Sequence, residues 1–201
     1  MTPPRMAQRD AVAVVRTTRG DDDVVISSMS NAREWMALGP LHDRDMVLVP
    51  SAMGHATSFG LGLALAQPKR RVIVLSGDGS LLMNLGSLVT ISSLAPGNLV
   101  VIVYDNSAYE VTGAQPTPGS AVARVHGDAV DFVAMARACG WQSVFRYSRL
   151  ADWQQNVPAI LTANGPTLVV LDVDAEKKPG PKSPGPAGER AKRLMVALSD
   201  R

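Results

Sequence analysis

Short apolar runs alternate along the chain with stretches whose apolar residues recur every three to four positions. Runs at 24–27, 46–49, 72–75, 99–104 and 166–173 have strand length. Segments 4–19, 31–38, 54–66, 80–94, 129–139, 150–163 and 189–198 carry helical spacing. A strand buried on both faces reads as a continuous apolar run, and the helices between such strands return the chain for parallel pairing. The pattern therefore predicts an α/β protein, a doubly wound, mostly parallel sheet with helices on both faces. Asn31 and Glu34 stand at capping-box spacing and are expected to start the 31–38 helix. Pro96-Gly97 stops the 80–94 helix, and Gly140 stops the 129–139 helix. Residues 105–128 show no period, and an unstructured connection of that length inside a domain is usually functional. Residues 177–188 are rich in Pro, Gly and Lys and are expected to be flexible when free. This reading divides the chain into a unit over 1–175 and a Pro/Gly/Lys-rich segment with a terminal helix over 176–201.

Composition narrows the picture only a little. The chain is 46% hydrophobic and 19% charged, ordinary values for a soluble globular domain. A formal charge of +2 is too small to argue for nucleic acid. No apolar stretch approaches the ~18 residues a membrane span needs, so no membrane partner is expected. The single cysteine, Cys139, excludes a disulfide framework or an intrinsic iron–sulfur cluster and fits a reducing cytoplasm.

The candidate chemistry gathers at two predicted strand ends. The run at 72–75 leads into Gly77-Asp78-Gly79-Ser80, which opens a helix, and the run at 99–104 leads into Asp105-Asn106. In a parallel sheet with one helix between them, Asp78 and Asn106 fall at the carboxyl ends of neighbouring strands. A carboxylate, an amide oxygen and nearby carbonyls make a hard oxygen site suited to Mg²⁺. The helix opening at Ser80 offers free N–H groups and the positive end of its dipole, which suit phosphate. Together they read as a seat for a diphosphate. Gly60 and Gly62 do not make a dinucleotide fingerprint, because they fall inside a helix well past the preceding strand.

The Gly-Asp-Gly…Asn pattern resembles the signature of thiamine diphosphate enzymes. Ser51-Ala52-Met53-Gly54-His55-Ala56, 61–66 and Gly113-Ala114-Gln115-Pro116-Thr117 bring it nearest to the phosphonopyruvate and sulfopyruvate decarboxylases. The similarity runs from about Val24 to about Val173. It implies thiamine diphosphate and Mg²⁺ as cofactors, with Asp78, Asn106 and the backbone carbonyl of Ala108 as metal ligands. It also implies that Gly77, Gly79 and Ser80 cradle the diphosphate, that Met53 wedges between the two cofactor rings, and that Ser51 meets the aminopyrimidine. Gly54 and His55 are placed near the diphosphate, with His55 the one candidate catalytic residue. Tyr109 and Glu110, with Thr112 and Gln115, begin the loop beyond the metal turn and are candidates to face cofactor or substrate. Two departures stand out: many relatives have Asn-Asn where this chain has Asp105-Asn106, and Gly where it has Ala108.

In the family, a glutamate from a separate pyrimidine-binding domain activates the cofactor. The four glutamates here, Glu34, Glu110, Glu176 and Glu189, do not occupy such a setting. The resemblance thus implies the diphosphate-binding, β-type subunit of a split carboxy-lyase acting on a small 2-oxo acid. A pyrimidine-binding α-type subunit would complete the active site in a dimer or α/β hetero-oligomer. A carboligase of the acetolactate synthase kind and a catalytically silent cofactor-binding subunit stand as alternatives.

Overall fold

The computed structural model describes residues 5–50, 52–125, 127–176, 178 and 180–199. The eight strands among them are β1 (Val24–Ser28), β2 (Asp45–Leu48), β3 (Val72–Gly77), β4 (Leu99–Asp105), β5 (Ala108–Tyr109), β6 (Gln115–Pro116), β7 (Ser143–Tyr147) and β8 (Thr167–Asp172). The α-helices are α1 (Gln8–Thr18), α2 (Met29–Ala37), α3 (Ala56–Ala66), α4 (Asp78–Leu82), α5 (Gly86–Leu94), α6 (Phe132–Ala138), α7 (Leu150–Thr162) and α8 (Ala187–Ser199). Six strands form one parallel sheet in the order β2-β1-β3-β4-β8-β7, and β5 and β6 pair antiparallel apart from it.

Both sheet faces are covered, so the inner strands are apolar along their middles, with polar residues such as Ser28, Asp105 and Asp172 only towards their ends. Every residue of β4 and β8 is buried. Alternate strand residues feed two cores. Val24, Ile26, Val74, Val101 and Val170 pack under Leu61, Leu88, Phe132 and Leu194, while Val25, Ile73, Ile102 and Leu171 pack under Val12, Trp35 and Trp153. From β1 the chain first adds β2 on one side and then crosses to add β3 on the other. Ligands of open α/β sheets bind at the carboxyl ends where the order switches in this way.

Several predicted boundaries move, each for a physical reason. Residues 5–7 are not helical; Met6 bridges to Val173 and α1 begins at Gln8. The capping box does not form: α2 starts at Met29, and Asn31 is buried with Oδ1 accepting from Gln8 Nε2 at 2.6 Å. The single 80–94 helix divides into α4 and α5 at a tighter turn, in which the N–H groups of Asn84 and Ser87 donate to Leu81 O and Asn84 O; the Asn84 side-chain amide ties this turn to Gly54 O (2.8 Å) and Ser58 Oγ (3.2 Å). The helix expected at 129 waits for Asp131, whose carboxylate caps it through the N–H groups of Val133 and Ala134. The edge strand β7 is an addition to the predicted set. The aperiodic 105–128 connection holds the β5–β6 ribbon and two single turns at Glu110–Thr112 and Ala121–Ala123.

The terminal helix packs on the sheet. Leu194 joins the core, and the buried Arg190 guanidinium donates to the carbonyls of Val47 and Val49 at the end of β2. In the Pro/Gly/Lys-rich segment, Lys177 and Pro179 lie outside the described residues. No helix among the described residues is long and apolar enough to cross a membrane.

Candidate cofactor site

The register of the inner strands brings the predicted residues together. Gly77 pairs with Tyr104 across β3 and β4, so Asp78 and Asn106 leave neighbouring strand tips. Both are buried. Thr117, returning from β6, donates its hydroxyl to Asp78 Oδ2 at 2.9 Å. Asn106 Oδ1 accepts from the N–H of Ala108 at 2.9 Å, which leaves its second lone pair uncommitted. Between them Ser107 adopts a left-handed backbone (φ 59°), an uncommon state for a residue other than glycine. The β5–β6 ribbon then orients the third oxygen. Its hydrogen bonds fall on the carbonyls of Ser107, from Thr117 N, and Tyr109, from Ala114 N. The intervening carbonyl of Ala108 therefore faces away from β6, since successive carbonyls of a strand alternate.

Burial pushes the Asp78 carboxyl up to about 7, and the charge of Asp105 adds to the effect. The Thr117 hydroxyl and the backbone N–H groups of Gly79 and Asp78 oppose it only in part. A carboxylate so placed gains most from a cation. Among the described residues, no group of three or more His, Cys, Asp or Glu is arranged to hold a metal. An ion here would thus rely on one carboxylate, an amide oxygen, a backbone carbonyl and oxygens from its own ligand. That all-oxygen set fits Mg²⁺ and lacks the nitrogen or sulfur that zinc favours.

A narrow cleft, open to solvent, lies beside this turn. Met53, Gly77, Asp78, Gly79, Ser80, Asn106, Ala108, Tyr109 and Glu110 all line it, as does Thr112. A Cβ on Gly77 would meet nothing within 4 Å, whereas one on Gly79 would lie 2.4 Å from the Tyr109 ring. Gly79 therefore lets α4 and Tyr109 close together, and Gly77 leaves room on the cleft side. Gly54 is buried behind the wall in a left-handed turn (φ 80°), its N–H donating to Ser80 Oγ at 3.0 Å. That bond uses the serine oxygen as acceptor and leaves its proton free for an anion. Glu110 is buried against Arg33 (3.4 Å) and accepts the Glu176 N–H at 2.9 Å.

Other predicted residues stand further off. His55 is exposed at the start of α3 and does not line the cleft. Gln115 is exposed, its amide donating to Thr112 Oγ1 at 2.8 Å. Ser51 lies outside the described residues. Sequence reasoning missed Ser28, Met29 and Ser30, which line the cleft from the end of β1, and Thr117, which holds Asp78. The strand order, once known, points to the first three, because β1 is where the topology switches.

Residues 29–171 match the family model described as "Thiamine pyrophosphate enzyme, C-terminal TPP binding domain". The chain is 43% identical over 154 residues to a phosphonopyruvate decarboxylase of Streptomyces viridochromogenes, covering 76% of this chain and 36% of that protein. It is 41% identical over 138 residues to the sulfopyruvate decarboxylase subunit beta of Methanothermobacter thermautotrophicus, covering 63% of this chain and 67% of that one. The chain thus spans about a third of the first relative and two thirds of the second. A thiamine diphosphate-dependent 4-hydroxybenzoylformate decarboxylase from Rhodococcus jostii RHA1 shares the fold with a TM-score of 0.72 at 21% identity, over 89% of this chain and 34% of that one.

Proposed function

We propose, from the premise that this chain belongs to the thiamine pyrophosphate enzymes and carries their C-terminal TPP-binding domain, that it is the diphosphate-binding subunit of a split 2-oxo-acid decarboxylase. The observation that carries the reading is Asp78, a buried carboxylate at a strand tip, sharing one cleft with Asn106 and Ala108. In this reading Asp78 Oδ, Asn106 Oδ1 and the Ala108 carbonyl hold Mg²⁺. Gly77, Gly79 and the free hydroxyl proton of Ser80 receive the diphosphate. Met53 supports the rings from the cleft wall, and Gly54 braces Ser80 from behind it. Thiamine diphosphate supplies the electron sink for loss of carbon dioxide from the 2-oxo acid. The residues of this chain hold and orient the cofactor through its diphosphate.

A pyrimidine-binding α-type partner completes the site. The beta-subunit naming of the Methanothermobacter relative supports a partner. So does the surface: α3 and α5 expose Phe59, Leu65, Val89 and Leu94, and Met83 between α4 and α5 is 53% exposed. Helices apolar on their outer side as well as their inner one belong in an assembly. Glu110, the glutamate on the cleft wall, is engaged by Arg33 and the 176 backbone, which favours an activating carboxylate from elsewhere. The substrate is a small 2-oxo acid with a phosphonate- or sulfonate-type tail, by analogy with the names of the relatives. Residues 1–175 are assigned to the cofactor-binding unit and 176–201 to a Pro/Gly/Lys-rich segment with a terminal helix, in a cytoplasmic setting that suits the free Cys139.

The test is reconstitution. The purified chain should bind thiamine diphosphate and Mg²⁺ weakly and show no turnover. Decarboxylation should appear when a pyrimidine-binding chain is added. Robust decarboxylation by the isolated chain would refute the split.

A further inference from the structure

The turn that carries Asn106 is gripped from two sides by groups that do not touch Asn106. Arg146, on the edge strand β7, reaches across the end of β8. Its Nη2 donates to Asp105 Oδ2 at 3.1 Å and to Asp172 Oδ1 at 2.7 Å, and its Nε donates to Asp172 Oδ1 and Oδ2 at 3.0 and 3.2 Å. Asp131 lies 3.8 Å from its remaining nitrogen. Asp105 and Asp172 are register partners at the tips of β4 and β8, and both are buried. Without a shared cation, two carboxylates so placed would repel and the tip of β4 would shift.

Asp105 passes this grip to the turn. Its Oδ1 accepts from both the N–H and the hydroxyl of Ser107, each at 3.2 Å. Arg5 adds a brace from the other side, Nη1 donating to the carbonyls of Asp105 (3.0 Å) and Val173 (2.8 Å), and Nη2 to Ser107 Oγ (3.2 Å). Ser107 is the residue held in the left-handed region, and it separates the Asn106 amide from the Ala108 carbonyl.

We propose that Arg146 is a positioning residue, which fixes the 105–108 turn through Asp105 so that the Asn106 amide oxygen and the Ala108 carbonyl are presented together to a divalent cation. The cation rests on the function proposed above; the shaping of the turn does not. The carboxylate at position 105 and the guanidinium at 146 thereby form one device. An amide at 105 would offer Arg146 no charge to hold.

Arg146→Lys in the full chain tests this, because an ammonium still faces Asp172 but lacks the planar fork that spans both carboxylates. Two readings are taken: amide hydrogen exchange at Ser107 and Ala108 without any ligand, and calorimetry of thiamine diphosphate with Mg²⁺. Exchange at 107 and 108 should accelerate about tenfold while Val101 and Val169 in the sheet keep their protection. Metal-dependent affinity should fall about tenfold or more, as when an outer partner of a metal ligand is removed. Ser148→Ala, which loses only a bond to Asp172, should change neither reading. If Arg146→Lys folds poorly, Asp105→Asn should give the same local acceleration. Unchanged exchange at 107 and 108, or acceleration spread evenly through the sheet, overturns the proposal. A wild-type chain that binds no cofactor with Mg²⁺ would sink the proposed function, and the exchange readings would still decide the role of Arg146.

Discussion

Asp78 and Asp172 occupy similar places, each buried at the carboxyl end of an inner strand and each accepting one hydroxyl, from Thr117 and Ser148. Their surroundings differ. Asp172 is bound by the fork of Arg146, which also takes Asp105. Asp78 has a hydroxyl and backbone N–H groups, and the charge that acts on it is the like charge of Asp105. A buried acid whose counter-charge comes from the fold is a strut. One left to a hydroxyl, on the wall of a cleft, has its charge unmatched by the fold, which is the basis for proposing a cation at Asp78.

The comparison can be sharpened by titration, where the largest effect is expected. Asp78 keeps its proton in the folded chain up to about 7, whereas an unfolded carboxyl loses it near the ordinary range. The cofactor-free protein should therefore lose stability as pH rises through that window and level off above it, at about 1.4 kcal/mol for each unit separating the two states. Asp78→Asn should flatten this part of the profile in urea denaturation, and an unchanged slope would break the contrast. Next in size, Arg146→Met leaves Asp105 and Asp172 buried without their cation. A fully buried pair broken in this way costs ~3–5 kcal/mol. Arg146 keeps 36% of its side chain in water, so a loss of about 2–3 kcal/mol is expected from the urea midpoint. Gly79→Ala drives a methyl into the Tyr109 ring and should cost about 1–3 kcal/mol, with the Tyr109 ring resonances shifting. Ser148→Ala should cost only about 1 kcal/mol, because Arg146 still holds Asp172.

The same contrast marks what the sequence reveals. The parallel sheet is legible because β3, β4 and β8 are buried on both faces and read as plain apolar runs. Asp78 and Asn106 are legible because local turn chemistry places them directly after two such runs. β7 is not, since an edge strand reading Ser-Val-Phe-Arg-Tyr mixes buried Val144 with Phe145 at 40% exposure. Its Arg146 therefore stayed hidden, 41 positions from Asp105. Thr117 is likewise hidden, 39 positions from the carboxylate it serves. The turn after α4 is tied by Asn84 to Gly54, 30 positions away, and the capping box gives way to Gln8 meeting Asn31. Contacts of that range follow from the assembled sheet and have no local pattern to announce them.

In the proposed function Asp78 anchors a divalent ion for the diphosphate. Calorimetry of thiamine diphosphate binding to the wild-type chain and to Asp78→Ala, each with and without Mg²⁺, tests it most directly. Binding that requires both Mg²⁺ and Asp78 is the predicted result. Equal binding by the variant, or wild-type binding indifferent to Mg²⁺, would contradict it.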